Sequence, residues 1–229
     1  MSEAADRGYP PVVLFDLDGT LLDSAPDFVA TIALLAARHG LPAAGMEVIR
    51  PVVSKGSRAM LAAAFPQLTQ SEQEALVPAF LDTYQGLIGQ HAVLFDGVAG
   101  MLDALENAGT TWGIVTNKPE YLARDILPQQ GWVERCAVLV GGDTLAEKKP
   151  HPLPLLHAAA QLGADPQRCV YVGDDERDIQ AARTAGMPSV AVLWGYRLPD
   201  DTPQTWGADV IHDDVAALRS AAGWPAVAA

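Results

Sequence analysis

Cysteine is scarce in this chain. The 229 residues hold two, Cys136 and Cys169, and neither has metal-ligand spacing. Reduced thiols in a core are the reading, as expected of a cytoplasmic protein. Positive charge is also in short supply, with 15 Lys and Arg against 28 Asp and Glu and a net charge of -13. Nucleic acid and acidic membrane surfaces are therefore not expected partners. No apolar run approaches membrane-spanning length, and the opening MSEAADRGYPP has no apolar signal core. Internal repeats and long low-complexity stretches are missing too. The chain reads as soluble, of one or two domains, and long enough for a sizeable core. A protein this acidic that binds a phosphate must concentrate positive charge locally, through a metal and a few lysines.

What the chain does have is an acidic motif behind an apolar run: Val12-Val13-Leu14-Phe15-Asp16-Leu17-Asp18-Gly19-Thr20. The run predicts a buried strand. In extended backbone Phe15 and Leu17 share one face, Asp16 and Asp18 the other. Gly19 permits a tight turn, and Thr20 adds a hydroxyl and an amide. Two acids so placed can divide labour, one as ionised nucleophile and metal ligand, the other as general acid and base. A solvated turn after a strand would use the same residue types, so the rest of the chain has to supply partners.

After this motif, Asp23-Ser24-Ala25-Pro26 caps and starts a helix that runs to about Arg38-His39 and stops at Gly40 and Pro42. The pattern stays helical to about His91. Segments are expected at Ser57–Phe65 and from Ser71 to about Ile88, the second with a capping box of Ser71 and Glu74. Strand signals return at Trp112–Thr116, Cys136–Val140, Val170–Gly173, Ser189–Leu193 and Asp209–Ile211. They alternate with helical patterns at Val98–Asn107, Glu120–Leu127, Leu153–Leu162 and Glu176–Thr184. The expected fold is α/β: a Rossmann-like parallel sheet with helices on both faces, built from residues 1–24 and 92–229. A small all-helical cap, residues 25–91, is inserted after the first strand and is too long to be a loop. Ligands of such sheets bind at the carboxyl ends of the strands, where Asp16 and Asp18 emerge. Residues 1–10 and the tail from Gly223 read as loosely ordered.

Three later strand ends are also polar. Thr116-Asn117-Lys118 offers a hydroxyl and amides that suit phosphate oxygens, or equally a helix N-cap. In Lys148-Lys149-Pro150-His151-Pro152 the prolines fix the backbone and single out Lys149, while His151 reads as exposed or supporting. Val170 to Asp178 ends in Gly173-Asp174-Asp175-Glu176-Arg177-Asp178, a density of hard oxygens that suits Mg²⁺.

These four clusters, in this order, resemble the four motifs of the haloacid dehalogenase superfamily of phosphotransferases; the resemblance covers the core, about 160 residues. It implies that Asp16 is the nucleophile and Asp18 the acid/base. Thr116 would bind the transferring phosphoryl group, with Gly19, Thr20 and Asn117 around it, and Lys149 would neutralise it. Asp174 would complete a Mg²⁺ site with Asp16 and the main-chain carbonyl of Asp18. Asp178 would support Lys149 or a metal-bound water. Asp175 departs from the pattern, since relatives often carry serine there. The insert resembles the cap of the phosphoglycolate phosphatase branch, which also takes in the N-acetylmuramic acid 6-phosphate phosphatases. Both substrates carry a carboxylate and a phosphate. Within Val52-Val53-Ser54-Lys55-Gly56-Ser57-Arg58, Lys55 or Arg58 is expected to reach the substrate's non-reacting end.

The implied activity is Mg²⁺-dependent hydrolysis of a small phosphorylated metabolite through an aspartyl-phosphate, by a monomer or homodimer. Each like-charge pair between carboxylate and phosphate at about 4 Å costs roughly 4 kcal/mol, which is why the acids need Mg²⁺ and Lys149. A phosphomutase like β-phosphoglucomutase needs the same core. A receiver-like phospho-aspartate switch would need neither Asp18 nor a long cap, and a dehalogenase would not need Asp18.

Overall fold

The computed structural model describes residues 8–228. The expectation for residues 1–7 lies outside them. The apolar run forms β1 (Val12–Phe15), buried along its whole length. On either side lie β4 (Thr111–Val115) and β6 (Cys169–Gly173), both parallel to it. With β5 (Leu139–Val140), β7 (Ser189–Val192) and β8 (Val210–His212) they make a six-stranded sheet in the order β5-β4-β1-β6-β7-β8, every pairing parallel. The order reverses at β1, the switch point at which such sheets bind ligands.

Alternation along β1 divides the core. Val13 and Phe15 share a cluster with Trp112, Ile114, Val170 and Val172 and with apolar residues of α5 (Val98–Asn107) and α6 (Glu120–Ile126), and the cluster runs on into the insert through α1 (Ala25–His39). Val12 and Leu14 face the other way, toward α7 (Leu153–Gln161) and α8 (Glu176–Ala185). Helices therefore cover both faces, and the strands read as continuous apolar runs. Both cysteines are free, and burial pushes both thiols up to about 11.

Between α1 and the next core element come α2 (Met46–Ile49), α3 (Ser57–Ala64) and α4 (Gln70–Gln85). The chain leaves and re-enters the core through two short strands, β2 (Leu22–Asp23) and β3 (Val93–Leu94), paired antiparallel. Two residues each are too few to show a period in sequence.

Some local expectations need correction. The capping box of α4 is Thr69 with Glu72, not Ser71 with Glu74. Thr69 is extended and its Oγ1 accepts the Glu72 amide at 3.3 Å, while Glu72 takes the Thr69 amide at 2.7 Å. Glu74 instead pairs with Arg58. Ser24 does not cap α1 with its side chain; the Ala25 amide donates to the Tyr196 hydroxyl at 3.0 Å. Strand Cys136–Val140 shortens to Leu139–Val140, an edge paired on one side. The tail is not loose throughout: Trp224 is buried and donates to the Leu218 carbonyl at 3.1 Å. At the other end, the Pro10 carbonyl accepts from Thr110 Oγ1 at 2.7 Å.

Asp27, fully buried on α1, ties the returning chain down. Its carboxylate accepts main-chain amides from Gly89 at 2.7 Å, His91 at 2.7 Å and Ala92 at 3.1 Å. Hydrogen bonds to a charged group contribute about 1.5–3 kcal/mol. Asp27→Ala is expected to lower unfolding free energy by about 3 kcal/mol, read as a lower urea midpoint at unchanged slope. A loss under about 0.5 kcal/mol would show that the tie is unimportant.

Candidate active site

β1, β4 and β6 end at one rim, and each delivers a polar side chain there. Asp16 follows β1 and its amide continues the ladder to the Val172 carbonyl at 2.9 Å. Asp16 Oδ1 accepts the Leu17 amide at 2.8 Å and lies 3.0 Å from Lys149 Nζ. Lys149 is buried, whereas Lys148 is exposed. The ammonium meets three acceptors, Asp16, Asp178 Oδ1 at 2.7 Å and the Tyr171 hydroxyl at 2.7 Å, which match its three N–H bonds. Tyr171 passes the chain on by donating to the Val115 carbonyl at 2.6 Å. Burial, the largest influence, pulls Lys149 down, but Asp16 and Asp178 outweigh it and hold the ammonium above the ordinary lysine value.

Asp174 follows β6 and has no exposed surface. Burial, with Asp178 and Asp16 beside it, pushes its carboxyl well above the ordinary range. Asp178 is also raised, to about 6, by burial that Lys149 only partly offsets. Asp16, Asp174 and Asp178 each offer an oxygen within 4.8 Å of the others. Three buried carboxylates share one ammonium, and Asp174 touches no cation among the described residues. Such a donor set of hard oxygens with surplus negative charge fits a divalent cation such as Mg²⁺. Asp178 has both oxygens engaged, Oδ1 by Lys149 and Oδ2 by the Asp175 amide at 3.0 Å. Among the described residues Asp16 is held through Oδ1 alone and Asp174 meets no ammonium, so Asp16 and Asp174 are the side chains best able to hold the ion.

Asp18 takes a different partner. Lys118 Nζ donates to both its oxygens, at 2.8 and 3.0 Å, so the carboxylate is set apart from the acidic trio. Lys118 is itself buried, with Nζ 4.8 Å from the Phe28 ring centroid and 4.4 Å from that of Tyr84. Gly19 has φ +85°, and a Cβ there would stand 2.2 Å from Asp174 Oδ2, so the position excludes any side chain.

Other residues expected to bind substrate are partly committed elsewhere. Thr20 Oγ1 donates to Asp174 Oδ1 at 3.2 Å. Thr116 lines the cavity, but its amide donates to the Val140 carbonyl at 2.9 Å. Asn117 Nδ2 holds the Lys149 carbonyl at 2.9 Å, while its Oδ1 is buried without a partner. Lys55 pairs with Asp175 Oδ2 at 2.8 Å. The Arg58 side chain, 66% exposed, pairs with Glu74 at 2.5 Å. Asp175 caps α8 in a box with Asp178 and also takes Arg177 Nε at 2.8 Å. Burial pushes Asp175 up, but Arg177 and Lys55 outweigh it and hold the carboxyl below its usual range. His151 is exposed.

Lys118, Tyr171, Arg177 and Ser54 carry contacts for which sequence reasoning assigned no role. Lys118 directly follows Thr116-Asn117, and Tyr171 puts a polar tip in an apolar strand; those were the available signals. A cavity of about 370 Å³ opens over the rim. Asp16, Asp18, Lys118 and Lys149 line it together with Lys55, Arg58 and Arg177 and the apolar Phe28, Val77, Phe80 and Tyr84. Among the described residues no helix is long and apolar enough to cross a membrane.

Known proteins share this plan. The chain is 64% identical over 217 residues to a phosphoglycolate phosphatase of Xanthomonas campestris pv. campestris, covering 95% of this chain and 98% of the relative. It is 50% identical over 202 residues to an N-acetylmuramic acid 6-phosphate phosphatase of Pseudomonas aeruginosa, covering 88% and 89%. The crystal structure of a predicted phosphoglycolate phosphatase from Haemophilus somnus 129PT superposes with a TM-score of 0.81 at 29% identity, over 93% of this chain and 97% of the other. Residues 13–192, from the first strand through the fifth parallel one, match the family described as haloacid dehalogenase-like hydrolase, and the chain belongs to it.

Proposed function

We propose that this chain is a Mg²⁺-dependent phosphomonoesterase acting on a small phosphate ester that also carries a carboxylate. The observation that carries this reading is the rim itself: Asp16 lies 3.0 Å from buried Lys149, with Asp174 behind it and Asp18 two residues on. The Leu17 amide and Lys149 engage Asp16 Oδ1, which leaves Oδ2 to attack phosphorus in line. As the new O–P bond forms, the ester P–O bond breaks, and the leaving alkoxide takes a proton from Asp18, which enters this step protonated and leaves it as the carboxylate that pairs with Lys118. Asp18 then removes a proton from water, which attacks the aspartyl-phosphate, releases inorganic phosphate and restores the Asp16 carboxylate. Lys149 stabilises the charge that builds on the phosphoryl oxygens, and Thr116 supplies a hydroxyl at the same strand end. Mg²⁺, held by Asp16, Asp174 and the Asp18 carbonyl, would supply Lewis-acid neutralisation of phosphoryl charge. Lys118 positions Asp18 between its two proton transfers. The helical segment 25–91 acts as a cap that excludes water from the cavity.

The named relatives support two substrates, 2-phosphoglycolate and N-acetylmuramic acid 6-phosphate. The cavity, about 370 Å³, has room for either. Both esters join a carboxylate to a phosphate, and cations line the cavity together with its apolar residues.

A phosphate-release assay over small esters, both candidates and β-glucose 1-phosphate included, is expected to show multiple turnovers on a carboxylate-bearing ester. In the same assay Asp16→Asn is expected to retain its circular dichroism spectrum and lose turnover; a near-normal rate would remove Asp16 as nucleophile. Activity is expected to vanish in excess chelator and return with Mg²⁺, and persistence without metal would take the ion out of the reaction. Lys118→Met is expected to lower kcat about a hundredfold with a smaller change in KM, the scale of a displaced acid/base. An unchanged kcat would leave the Lys118 pair with no part in proton transfer.

A further inference from the structure

The loop Val53-Ser54-Lys55-Gly56 belongs to the inserted segment, yet it bonds to the carboxylates of the core. Ser54 Oγ donates to Asp174 Oδ2 at 2.8 Å. Lys55 Nζ donates to Asp175 Oδ2 at 2.8 Å. In the opposite direction Arg177, from α8, donates through Nη2 to the Ser54 carbonyl. Asp174 Oδ2 also accepts the Tyr196 amide at 2.9 Å, so two donors from distant parts of the chain fix that oxygen. Its Oδ1 takes only a long 3.2 Å bond from Thr20 and is the oxygen left for an ion. Gly56 closes the loop at φ +92°, a backbone state that side chains rarely adopt.

We propose that Ser54 is a positioning residue for Asp174, and that the Lys55–Asp175 and Arg177–Ser54 contacts form a latch by which docking of the 25–91 segment and divalent-cation binding strengthen one another. This rests on the Mg²⁺ reading given above. The reason is orientation: a carboxylate ligand held by outer hydrogen bonds binds metal more tightly than one free to rotate, and losing such a partner costs about 10–100-fold in affinity. The coupling is reciprocal. Whatever factor Ser54 contributes to cation affinity, the cation returns to the docking of the loop. It also gives Asp175 a purpose that serine could not serve. A serine at 175 could cap α8, but it would offer Lys55 and Arg177 no charge. On this account Lys55 serves the latch and not the substrate.

The test is calorimetric titration of Mg²⁺ into the metal-free full chain, with hydrogen exchange of the 50–56 amides followed with and without the ion. Ser54→Ala is expected to bind Mg²⁺ about tenfold more weakly, and Ser54→Thr, which keeps the hydroxyl, close to wild type. Mg²⁺ is expected to slow exchange over 50–56 in wild type and to lose most of that effect in Ser54→Ala and in Lys55→Met. Equal Mg²⁺ affinity in Ser54→Ala and wild type overturns the proposal, as does exchange over 50–56 that ignores Mg²⁺ in wild type. A wild-type chain that hydrolyses esters with Mg²⁺ while its loop ignores the ion sinks the latch alone. One that neither binds Mg²⁺ nor releases phosphate sinks the underlying reaction.

Discussion

Three buried carboxylates gathered around one lysine set the terms for everything else at this rim. Asp16, Asp174 and Asp178 have oxygens within 4.8 Å of each other, and Lys149 reaches two of them. Like charges at about 4 Å repel by roughly 4 kcal/mol even at an effective dielectric of about 20. The fold alone cannot hold this arrangement comfortably, and the upward displacement of Asp174 and Asp178 is the sign of it. On the reading proposed above, a divalent cation and a phosphoryl group together would relieve the strain, the ion by facing the carboxylates and the phosphoryl by giving Lys149 an anion of its own. On that reading the surplus of negative charge in the free site would favour binding the ion and the phosphate together.

Close backbone approach is the second constraint. Gly19, Gly173 and Gly195 all stand where a Cβ would come within 2.4 Å of an Asp174 or Asp178 atom or a neighbouring carbonyl. The glycines that punctuate the acidic motifs are therefore packing requirements of the carboxylates beside them. Gly19 also needs its positive φ to turn the chain after Asp18. The turn places the Gly19 amide on the Leu22 carbonyl at 3.0 Å and sends the chain through β2 into the insert.

How much of this could be read from residues alone follows from the range of the forces involved. Periodicity reports burial, and the alternating strands and helices pointed directly to the parallel α/β sheet that the chain adopts. The order of four polar strand ends likewise pointed to the family. Local capping was harder, because Thr69-x-x-Glu72 and Ser71-x-x-Glu74 satisfy the same rule two residues apart. The backbone is extended at Thr69 and the helix is under way at Gln70, so Ser71 lies inside it and Glu74 pairs with Arg58. Contacts across long separations were not legible at all. Lys118 meets Asp18 and the rings of Phe28 and Tyr84, and Ser54 meets Asp174 across 120 positions. No spacing rule encodes such pairs. Lys55 and Arg58 looked alike as cations beside a glycine, and both line the cavity, but one pairs with Asp175 of the core and the other with Glu74 of the insert.

The inserted helices do more than roof the cavity. Phe28 and Tyr84 stack at 4.3 Å between centroids and present their faces to the Lys118 ammonium. That apolar wall lowers the local dielectric around the Lys118–Asp18 pair, so the pair is stronger there than it would be in water. The same wall comes from α1 and α4, and the Asp27 carboxylate of α1 grips the returning chain at Gly89, His91 and Ala92. Displacing those helices would wet the pair and withdraw Ser54 from Asp174 together. Asp18 and Asp174, which follow different strands, are therefore both governed by how the insert is seated.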